Sequence, residues 1–375
     1  MTTAHQIASS LAYGDAITNH VLALDAALRD WGYTSRIYAE RVEPRLQALA
    51  QPDAAYLSAI ERSDDILIYH YSAYSPNTQL YQRSRNRRLL VYHNITPAEY
   101  LTAYDADLAA ICRLGRDALP QLGDADLAVG VSETNRRELL AAGFDAHRVV
   151  ALPILLNLAA WDATPPNPRL AGRLSDGRVN VLFVGRVVPN KAFEDVIKIF
   201  AAYRRAIQPD ARLALVGSRV LPRYSAVLDR LVERLGLGDA VTFTDRVPLA
   251  DLRAYYETAH VFLSASRHEG FCVPLLESMR FGVPILAYAA AAVPETLGAS
   301  GVVYRAFDYP LLAEALHLLA TDRATREAII AGQRARLADF APPRVAGQWR
   351  LALEQVATAP PAARAVMLGE RRASR

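Results

Sequence analysis

Short apolar runs alternate with amphipathic helical segments along most of the chain, and the alternation starts again near residue 179. In the first half, the runs lie at 5–8, 34–39, 65–70, 89–93, 127–131 and 149–152. In the second half, they lie at 179–184, 212–216, 241–244, 261–264 and 284–287. Strands that alternate with helices pair in parallel, with the helices covering both faces of the sheet. The pattern predicts an α/β protein with two doubly wound domains.

Prolines mark the boundary between the two halves. They stand at 153, 165, 166 and 168, and glycines follow at 172 and 177. Because proline interrupts helices and central strands, we expect a linker at 161–178 between domains at 1–160 and 179–341. A helix at 342–356, with Val345, Trp349 and Leu353 on one stripe, is expected to pack back toward the first domain. Residues 357–375 are expected to form a loose tail.

The composition excludes several classes of protein. A net charge of +3 is too small to indicate nucleic-acid binding. The chain has no apolar run of the length that a transmembrane helix needs, and residues 1–10 lack the pattern of a secretory signal. Its two cysteines, Cys112 and Cys272, fit a reducing compartment better than a disulfide framework. We therefore expect a cytoplasmic protein that binds no nucleic acid.

The strongest motif is Glu269-Gly-Phe-Cys-Val-Pro-Leu-Leu-Glu277, at a predicted strand-to-helix turn. Pro274 suits a first helical turn, and Gly270 allows a close approach. The backbone N–H groups there, which form a candidate anion site, belong to Phe271, Cys272 and Val273. Glu277 is placed to accept hydrogen bonds from vicinal hydroxyls such as those of a ribose, and Glu269 from those of a sugar ring. The alternative is a surface loop before an ordinary solvent-facing helix, and the motif as a whole favours the binding site.

A second motif follows the run at 179–184. Gly185 and Arg186 come directly after it, and Lys191 lies near the start of the next predicted helix. A guanidinium and an ammonium can stabilise the charge of a departing diphosphate without proton transfer. A solvated loop is the alternative interpretation. The chain has 42 basic residues, of which only Lys191 and Lys198 are lysines, and this favours a role for Lys191. We expect Lys198 to be solvated at the surface.

The two motifs together resemble the nucleotide-binding domain of retaining GT-B glycosyltransferases of family 4, the glycosyltransferase group 1. The similarity is dense from residue 179 to residue 303. Other segments that agree are Leu215-Val-Gly217-Ser218, Val241-Thr-Phe243, Leu252-x-x-Tyr255-Tyr256, Gly282-Val-Pro-Ile285 and Ala292-Val-Pro-Glu295-Thr296. The resemblance implies a GT-B fold, in which two Rossmann-like domains face each other across a cleft.

The resemblance also implies roles for individual residues. Arg186 and Lys191 would hold the donor diphosphate, Glu277 the ribose and Glu269 the transferred sugar, with Gly217 also in the substrate-binding set. Ala192 and Cys272 stand where the family often has glycine. The first departure leaves the role of Lys191 intact, and the second is expected to narrow the sugar pocket slightly.

The first half is less similar to the family. Gly14 and Asp15 stand where family members place a glycine-rich loop near the donor phosphates. The segment Tyr92-His93-Asn-Ile-Thr96-Pro97 resembles a loop of bacterial lipopolysaccharide and capsule glycosyltransferases, which implies that His93 contacts the reacting sugar or the acceptor. From the residues alone, a buried ring bonded to a carbonyl is an equal interpretation for His93. For His70 the structural interpretation leads.

The sequence shows no metal site. Neither histidine has a partner at metal-ligand spacing. The pairs Asp105-Ala-Asp107 and Asp124-Ala-Asp126 lie among helical or pre-strand residues rather than in a loop that would hold a metal-bound diphosphate. We therefore expect neither a metal nor another cofactor.

The resemblance implies a hexosyltransferase that uses a nucleotide diphosphate sugar and a saccharide or lipid-linked glycan acceptor, in polysaccharide or lipopolysaccharide synthesis. The loop around His93 favours mannose from a guanosine donor, while a uridine donor with glucose or galactose stays open. Three alternatives remain: a sugar-nucleotide epimerase of the same architecture, a pyridoxal-phosphate phosphorylase, and a non-catalytic sugar-nucleotide-binding subunit. The basic cluster Arg83, Arg85, Arg87 and Arg88 would allow peripheral contact with the inner face of a membrane, although a solvated loop is the favoured interpretation.

Overall fold

The computed structural model describes residues 2–157 and 159–358, which form two parallel β-sheets with helices on their faces. The strands of the first sheet are β1 (Thr3–Leu11), β2 (Thr34–Val42), β3 (Gln51–Pro52), β4 (Ile66–Tyr71), β5 (Arg87–Tyr92), β6 (Leu127–Gly130) and β7 (Val149–Ala151). The strands of the second are β8 (Asn180–Val184), β9 (Arg212–Val216), β10 (Val241–Phe243), β11 (Val261–Ser264), β12 (Ile285–Tyr288) and β13 (Val302–Tyr304).

Helices connect most of the strands. Those of the first half are α1 (Ala16–Asp30), α2 (Asn77–Arg83), α3 (Ala106–Ala118) and α4 (Glu133–Ala141). Those of the second half are α5 (Ala159–Ala163), α6 (Pro168–Leu174), α7 (Phe193–Ala206), α8 (Pro222–Arg234), α9 (Leu249–Thr258), α10 (Val273–Arg280), α11 (Val293–Leu297), α12 (Tyr309–Thr321), α13 (Arg323–Leu337) and α14 (Pro342–Thr358). Short 3-10 turns lie at Pro44–Leu49, Asp53–Ser58, Ala98–Tyr100, Leu119–Leu122, Ala146–Arg148, Pro189–Lys191 and Ala338–Phe340.

Both sheets reverse their strand order once. The first runs β3-β2-β1-β4-β5-β6-β7 and the second β10-β9-β8-β11-β12-β13. Every pair within them is parallel. The order reverses between β1 and β4 in the first sheet and between β8 and β11 in the second. In open parallel sheets, ligands bind beyond the carboxyl ends of the strands at such reversals. The topology therefore marks two candidate positions for a site.

The central strands are apolar because helices cover both of their faces. All six residues of β4 are buried, and so are the first four of the five residues of β8. Helix α1 begins where the Asp15 carboxylate accepts hydrogen bonds from the backbone N–H groups of Ile17 and Thr18. Its buried stripe contains Val21, Leu24 and Leu28, as the helical spacing predicts. The predicted α/β fold with two doubly wound domains is confirmed.

The structure differs from the expectations at several boundaries. The edge strands β3 and β13 were not predicted, and the two residues of β3 are too few to show an alternating pattern. The segment at 161–178 contains part of α5 and the whole of α6, and Pro168 lies in the first turn of α6, where proline is tolerated. Helix α14 extends to Thr358, past the predicted end at 356. The rest of the predicted tail, 359–375, lies outside the described residues.

Helix α14 packs against the first domain. The buried Trp349 donates a hydrogen bond from Nε1 to the carbonyl oxygen of Pro153 at 2.8 Å, and its ring lies 4.8 Å from that of His20 in α1. The Arg87 guanidinium, at the start of β5, donates to the carbonyl oxygen of Val356. Within the described part of the chain, we find no helix that has both the length and the apolar character needed to cross a membrane.

Candidate active site

Lys191 and Glu269 meet at the carboxyl edge of the second sheet. Lys191 follows β8, Glu269 follows β11, and these two strands are neighbours at the reversal of strand order. Lys191 Nζ lies 2.5 Å from Glu269 Oε2, and the two side chains are 19% and 7% exposed. Each of these two largely buried charges is the partner of the other, and a buried charge without a partner is costly. The two sequence motifs therefore converge on one place.

Hydrogen bonds between two loops hold Lys191 in position. Asn190 donates from Nδ2 to the carbonyl oxygen of His268, and the N–H of Arg267 donates to the carbonyl oxygen of Asn190. The next residue, Ala192, is buried and has a left-handed φ of 48°. This conformation favours glycine, which explains why the family often has glycine at this position. The loop keeps the same course here with alanine.

Arg186 follows β8 at the carboxyl edge of the second sheet. Its side chain is exposed. Burial raises the pKa of the Cys112 thiol in α3, and the positive charge of Arg186 opposes that shift, so the guanidinium lies near the first domain. The loop that carries it passes so close to Gly217 that a Cβ on Gly217 would collide with the carbonyl oxygen of Gly185. Gly217 therefore positions this loop through close backbone packing.

The segment 269–273 enters helix α10 through a left-handed residue. Cys272 has φ 70° and is the N-cap of α10, and no side chain caps the helix there. Pro274 lies in the first turn, as predicted. The first N–H groups of α10, which begins at Val273, are therefore not used by a capping side chain and face the loop of Glu269. Burial raises the pKa of the Cys272 thiol well above its usual value, and the nearby Glu269 carboxylate adds to that shift.

Phe271 contributes its backbone, and not its ring, to the carboxyl edge of the second sheet. The ring is buried and packs edge-on against Phe340, with centroids 5.7 Å apart. Its carbonyl oxygen accepts a hydrogen bond from Thr296 Oγ1 at 2.6 Å. Both contacts hold the loop in place, so Phe271 is a structural anchor of the site.

Glu277 lies one turn into α10 and is bonded to a tyrosine. Tyr256 in α9 donates from its hydroxyl to Glu277 Oε2 at 2.6 Å. Burial raises the pKa of Glu277 to about 7, and the hydrogen bond from Tyr256 opposes that shift. Its second carboxyl oxygen can accept hydrogen bonds from the hydroxyls of a ligand. Cys272 is close to both Tyr256 and Glu269, so Glu277 belongs to the same cluster as the charge pair.

The first domain closes onto this cluster at His93 and Asn94. A Cβ on Gly270 would lie 2.7 Å from the carbonyl oxygen of His93 and 2.8 Å from Cβ of Asn94, so glycine is required for this close approach. His268 Nε2 donates to Asn94 Oδ1, and Asn94 Nδ2 donates to Asn135 Oδ1 at 2.7 Å. His93 therefore lies next to the loop that carries Glu269.

Gly14 and Asp15 lie at the carboxyl end of β1, on the first-domain side. The Asp15 carboxylate is used to cap α1, with hydrogen bonds of 3.1 and 3.2 Å. A carboxylate is also a poor neighbour for donor phosphates because like charges repel. The structure thus gives Asp15 a capping role, and its part in substrate binding stays a prediction. Gly14, in the turn before it, stays a prediction.

Three buried histidines meet in the first domain, which the sequence spacing did not show. His20, His70 and His93 each have a ring nitrogen within 4.8 Å of the others. His70 and His93 have no partner at metal-ligand spacing in the sequence, but the fold brings them together with His20. The hydrogen bonds nevertheless disfavour a metal, because the N–H of Leu155 donates to Nδ1 of His20 at 2.9 Å. Nε2 of a neutral His20 then carries the proton and has no lone pair for an ion.

The remaining polar pairs have structural roles. Asp105 caps α3, and Asp124 forms an ion pair with the fully buried Arg88 at 2.6 Å. Arg85 pairs with Glu61 at 2.9 Å. The interpretation of the basic cluster as a solvated loop is therefore wrong for Arg88, because its side chain fills the core at the start of β5. The Lys198 side chain is 41% exposed and lies 3.4 Å from Asp195, and this exposure agrees with the surface position expected for it.

The sequence analysis assigned no role to several residues of the site. His268 and Asn94 are hydrogen-bonded across the two domains, Asn94 is also bonded to Asn135 within the first domain, and Gln6 bonds to His70. Glu295, known from a family-like segment, accepts hydrogen bonds across the cleft from the N–H groups of Glu133 and Thr134. The two domains also line an open pocket of about 290 Å³ beside Phe271 and Glu295. The strand order within each sheet and the packing of the two domains bring these residues together.

Comparison with known proteins identifies the class to which this site belongs. Residues 171–336 match the family Glycosyl transferases group 1. They include both motifs, so this part of the chain is similar to that family. The resemblance to the glycosyltransferase group 1 is confirmed for this part of the chain.

Individual relatives agree with this class. The chain is 29% identical over 253 residues to the GDP-mannose-dependent alpha-(1-6)-phosphatidylinositol monomannoside mannosyltransferase of Mycolicibacterium smegmatis, an alignment that covers 63% of each chain. It is 26% identical over 185 residues to O-antigen chain mannosyltransferase B of Escherichia coli, covering 48% of each. The chain thus spans less than two thirds of the length of these relatives.

A solved structure extends the similarity to the first domain. The structure of Anabaena HepE in complex with UDP-glucose aligns with a TM-score of 0.73, covering 94% of this chain and 100% of that one, at 15% identity. At this identity the likeness concerns the fold. The fold is therefore GT-B, as the resemblance implied.

Proposed function

We propose that this protein is a retaining hexosyltransferase that transfers a sugar from a nucleotide diphosphate sugar to a hydroxyl of a saccharide or lipid-linked glycan. The observation that carries the proposal is the Lys191–Glu269 pair, 2.5 Å apart and next to the N-terminus of α10. Without a donor, the ammonium and the carboxylate satisfy each other. With a donor, Lys191 would bind the diphosphate and Glu269 the hydroxyls of the sugar.

The charges fit a front-face displacement. The acceptor oxygen would bond to the anomeric carbon while the bond from that carbon to the diphosphate oxygen breaks on the same face. The acceptor proton would pass to the departing diphosphate oxygen. Lys191 and Arg186 would stabilise the charge that develops there, which is the largest single contribution in many enzymes. Glu269 is held by Lys191, and this arrangement favours a binding role for it over that of a nucleophile.

We propose that no metal takes part in this transfer. The positive charge that a metal would supply is available from Lys191 and Arg186. Asp105, Asp124 and Asp126 are committed to a helix cap and to Arg88. A titration with EDTA that leaves the rate unchanged would support this proposal, and a loss of activity that Mg²⁺ or Mn²⁺ restores would contradict it.

Mannose from a guanosine donor is the proposed substrate. The mannosyltransferase of Mycolicibacterium smegmatis is named as GDP-mannose-dependent, and its named acceptor contains a lipid. HepE was solved with UDP-glucose, but at 15% identity that likeness concerns the fold alone. A lipid-linked acceptor would bring the protein to the cytoplasmic face of a membrane without a spanning helix. The epimerase alternative finds no support among these relatives.

The test measures transfer by the purified chain and by two variants. Lys191→Ala and Glu269→Ala should each lower kcat by about a hundredfold or more, because each removes a charge that binds the reacting groups. Lys198→Ala is the matched control, since this other lysine is half-exposed and pairs with Asp195 rather than with Glu269. Proton NMR of the product should show the anomeric configuration of the donor. Near-normal rates in both variants, or an inverted product, would contradict the proposal.

A further inference from the structure

A series of buried hydrogen-bonding groups lies where the strand order of the first sheet reverses. Gln6 in β1, His70 in β4 and His93 just after β5 are at most 9% exposed. In the sheet register His70 pairs with Ala8 and with Val91. Because side chains alternate along a strand, Gln6, His70 and His93 all point to the same face of the sheet. Helix α1 covers that face and contributes His20.

The partners of each group determine the direction of each hydrogen bond in this series. Gln6 Nε2 donates to the carbonyl oxygen of Val21 at 3.2 Å, which fixes the orientation of its amide. Gln6 Oε1 then accepts from His70 Nε2 at 3.0 Å. His70 Nδ1 therefore carries the lone pair, and it accepts from His93 Nε2, also at 3.0 Å. A neutral ring has one donor and one acceptor, so Nδ1 of His93 must be an acceptor.

All three imidazoles are neutral at physiological pH. Burial lowers the pKa of His70 and of His93 well below the usual value, and the neighbouring histidines add to that shift. Burial lowers the pKa of His20 to about 4, against the opposing hydrogen bond from Leu155. The tautomers deduced from the hydrogen bonds are therefore the relevant states.

Two ring nitrogens in the cluster have no hydrogen-bond partner among the described residues. They are Nδ1 of His93 and Nε2 of His20. The first is an acceptor and the second is a donor, and the ring centroids are 5.5 Å apart. A hydroxyl group both donates and accepts, so one hydroxyl has the chemistry to satisfy both. Leaving either nitrogen buried without a partner is costly.

We propose that Gln6 and His70 are positioning residues that hold His93 in the Nε2–H tautomer, so that its Nδ1 lone pair accepts a hydroxyl of the bound hexose. The inference rests on the proposed function for the identity of the ligand. Its structural part, the imposed tautomer, is independent of that function. Without an acceptor at His70, His93 could exchange its proton to Nδ1 and would then present a donor to the sugar. The same hydroxyl could still bind, but in a different orientation.

The experiment compares His70→Asn with His70→Leu. The Asn amide oxygen occupies nearly the position of Nδ1 and can still accept from His93, whereas leucine cannot. We expect His70→Leu to lower kcat tenfold to a hundredfold, roughly the effect of removing a group that orients a functional histidine. We expect His70→Asn to stay within about threefold of the parent, because the essential hydrogen bond remains.

His5 provides the matched control. It is buried in β1 but faces the other side of the sheet, where its ring nitrogens bond to Tyr38 and Asp65. His5→Asn and His5→Leu should change stability but should not differ from each other in kcat. If His70→Leu does not fold, Gln6→Leu is the second variant. It removes the acceptor for His70 Nε2 and so tests the preceding hydrogen bond of the same series.

Nitrogen-15 NMR of the histidine rings separates this inference from the proposed function. His93 should show protonated Nε2 and unprotonated Nδ1 in the parent protein, and the His70→Leu variant should lose this preference. A parent protein with His93 protonated at Nδ1 would overturn the inference even if the protein transfers sugar. Equal rates for His70→Asn and His70→Leu, or stoichiometric zinc bound by the three histidines, would also overturn it. A protein with the expected tautomer but no transfer activity would refute the proposed function alone.

Discussion

Gly270 belongs to the second domain, but the groups that leave no space for a side chain there belong to the first. They are the carbonyl oxygen of His93 and Cβ of Asn94, at 2.7 and 2.8 Å from the position that a Cβ on Gly270 would occupy. Alanine at this position would therefore separate the domains rather than disrupt either core. We expect Gly270→Ala to reduce kcat/KM by about a hundredfold, because small displacements of reacting groups are this costly.

The unfolding free energy of Gly270→Ala should stay within about 1 kcal/mol of the parent, since each domain can relax by opening. Gly172→Ala is the matched control. Gly172 lies in α6 with open space around it, so alanine there should leave activity intact and stabilise the helix slightly. Urea unfolding and steady-state kinetics measure the two effects. Normal activity of Gly270→Ala would show that the domain contact is not needed for turnover.

The raised pKa of Glu277 predicts that donor binding depends on pH. Its pKa is raised to about 7 by burial, and only the ionised carboxylate offers all its lone pairs to hydroxyls. Affinity for the nucleotide sugar should therefore fall as the pH drops below about 7, by up to tenfold per pH unit. Stability should respond in the opposite sense. A carboxyl with a raised pKa binds more protons in the folded state, so this group's contribution to the unfolding free energy decreases as the pH rises from about 4.5 to about 7.

Calorimetric titrations with the nucleotide sugar across this pH range test the prediction. Glu277→Gln should bind more weakly than the parent at high pH and should show a flatter pH profile. Tyr256→Phe removes the hydrogen bond that opposes the pKa shift, so the midpoint should move upward. A parent profile without a transition near pH 7 would exclude Glu277 as a ligand of the donor.

At the scale of elements, the N-terminus of α4 is capped from the opposite domain. Ser132 caps this helix within its own domain, and Glu295 adds hydrogen bonds to the N–H groups of Glu133 and Thr134 at 2.5 and 3.2 Å. A carboxylate at a helix N-terminus is stabilised by the helix dipole, and a lost cap costs roughly 1 kcal/mol. Here that energy favours the closed arrangement of the domains.

We expect Glu295→Ala to raise KM for the donor severalfold and to increase the radius of gyration measured by small-angle scattering without ligand. Glu257→Ala is the control, because Glu257 pairs with Arg253 inside one domain. Donor at saturation should return Glu295→Ala to the parental radius. Identical scattering of parent and variant without donor would show that the cap has no influence on closure.

For the whole molecule, the donor should stabilise the fold by an amount that grows with the logarithm of its concentration relative to Kd. A ligand at about 100 times its Kd adds about 2.7 kcal/mol, which corresponds to roughly 5–10 °C for a domain of this size. We expect GDP-mannose to raise Tm by this amount and UDP-glucose by less. Lys191→Ala should have a near-parental Tm without ligand and a much smaller shift with it. A larger rise in Tm with UDP-glucose than with GDP-mannose would indicate a uridine donor instead of the proposed guanosine donor.

Much of the architecture is determined by local patterns in the sequence. Alternating apolar runs and helical stripes predict the strands and helices because each pattern reports which face of an element is buried. Pro274 predicts the first turn of α10 because its backbone constraint is local. The motif residues Lys191, Glu269 and Glu277 were found in the same way, since each stands after the end of a predicted strand or in the helix that follows.

Tertiary structure alone decided which distant residues meet. His70 and His93 lie 23 residues apart and Gln6 lies 64 residues before His70, and only the order β1-β4-β5 places them on one face. Arg88 is likewise buried because β5 is an inner strand, although its neighbours in the sequence resemble a surface cluster. Hydrophobic periodicity specifies the burial of an element, but hydrogen bonds depend on atomic positions across elements. Those positions exist only after the sheets have formed and the domains have packed together.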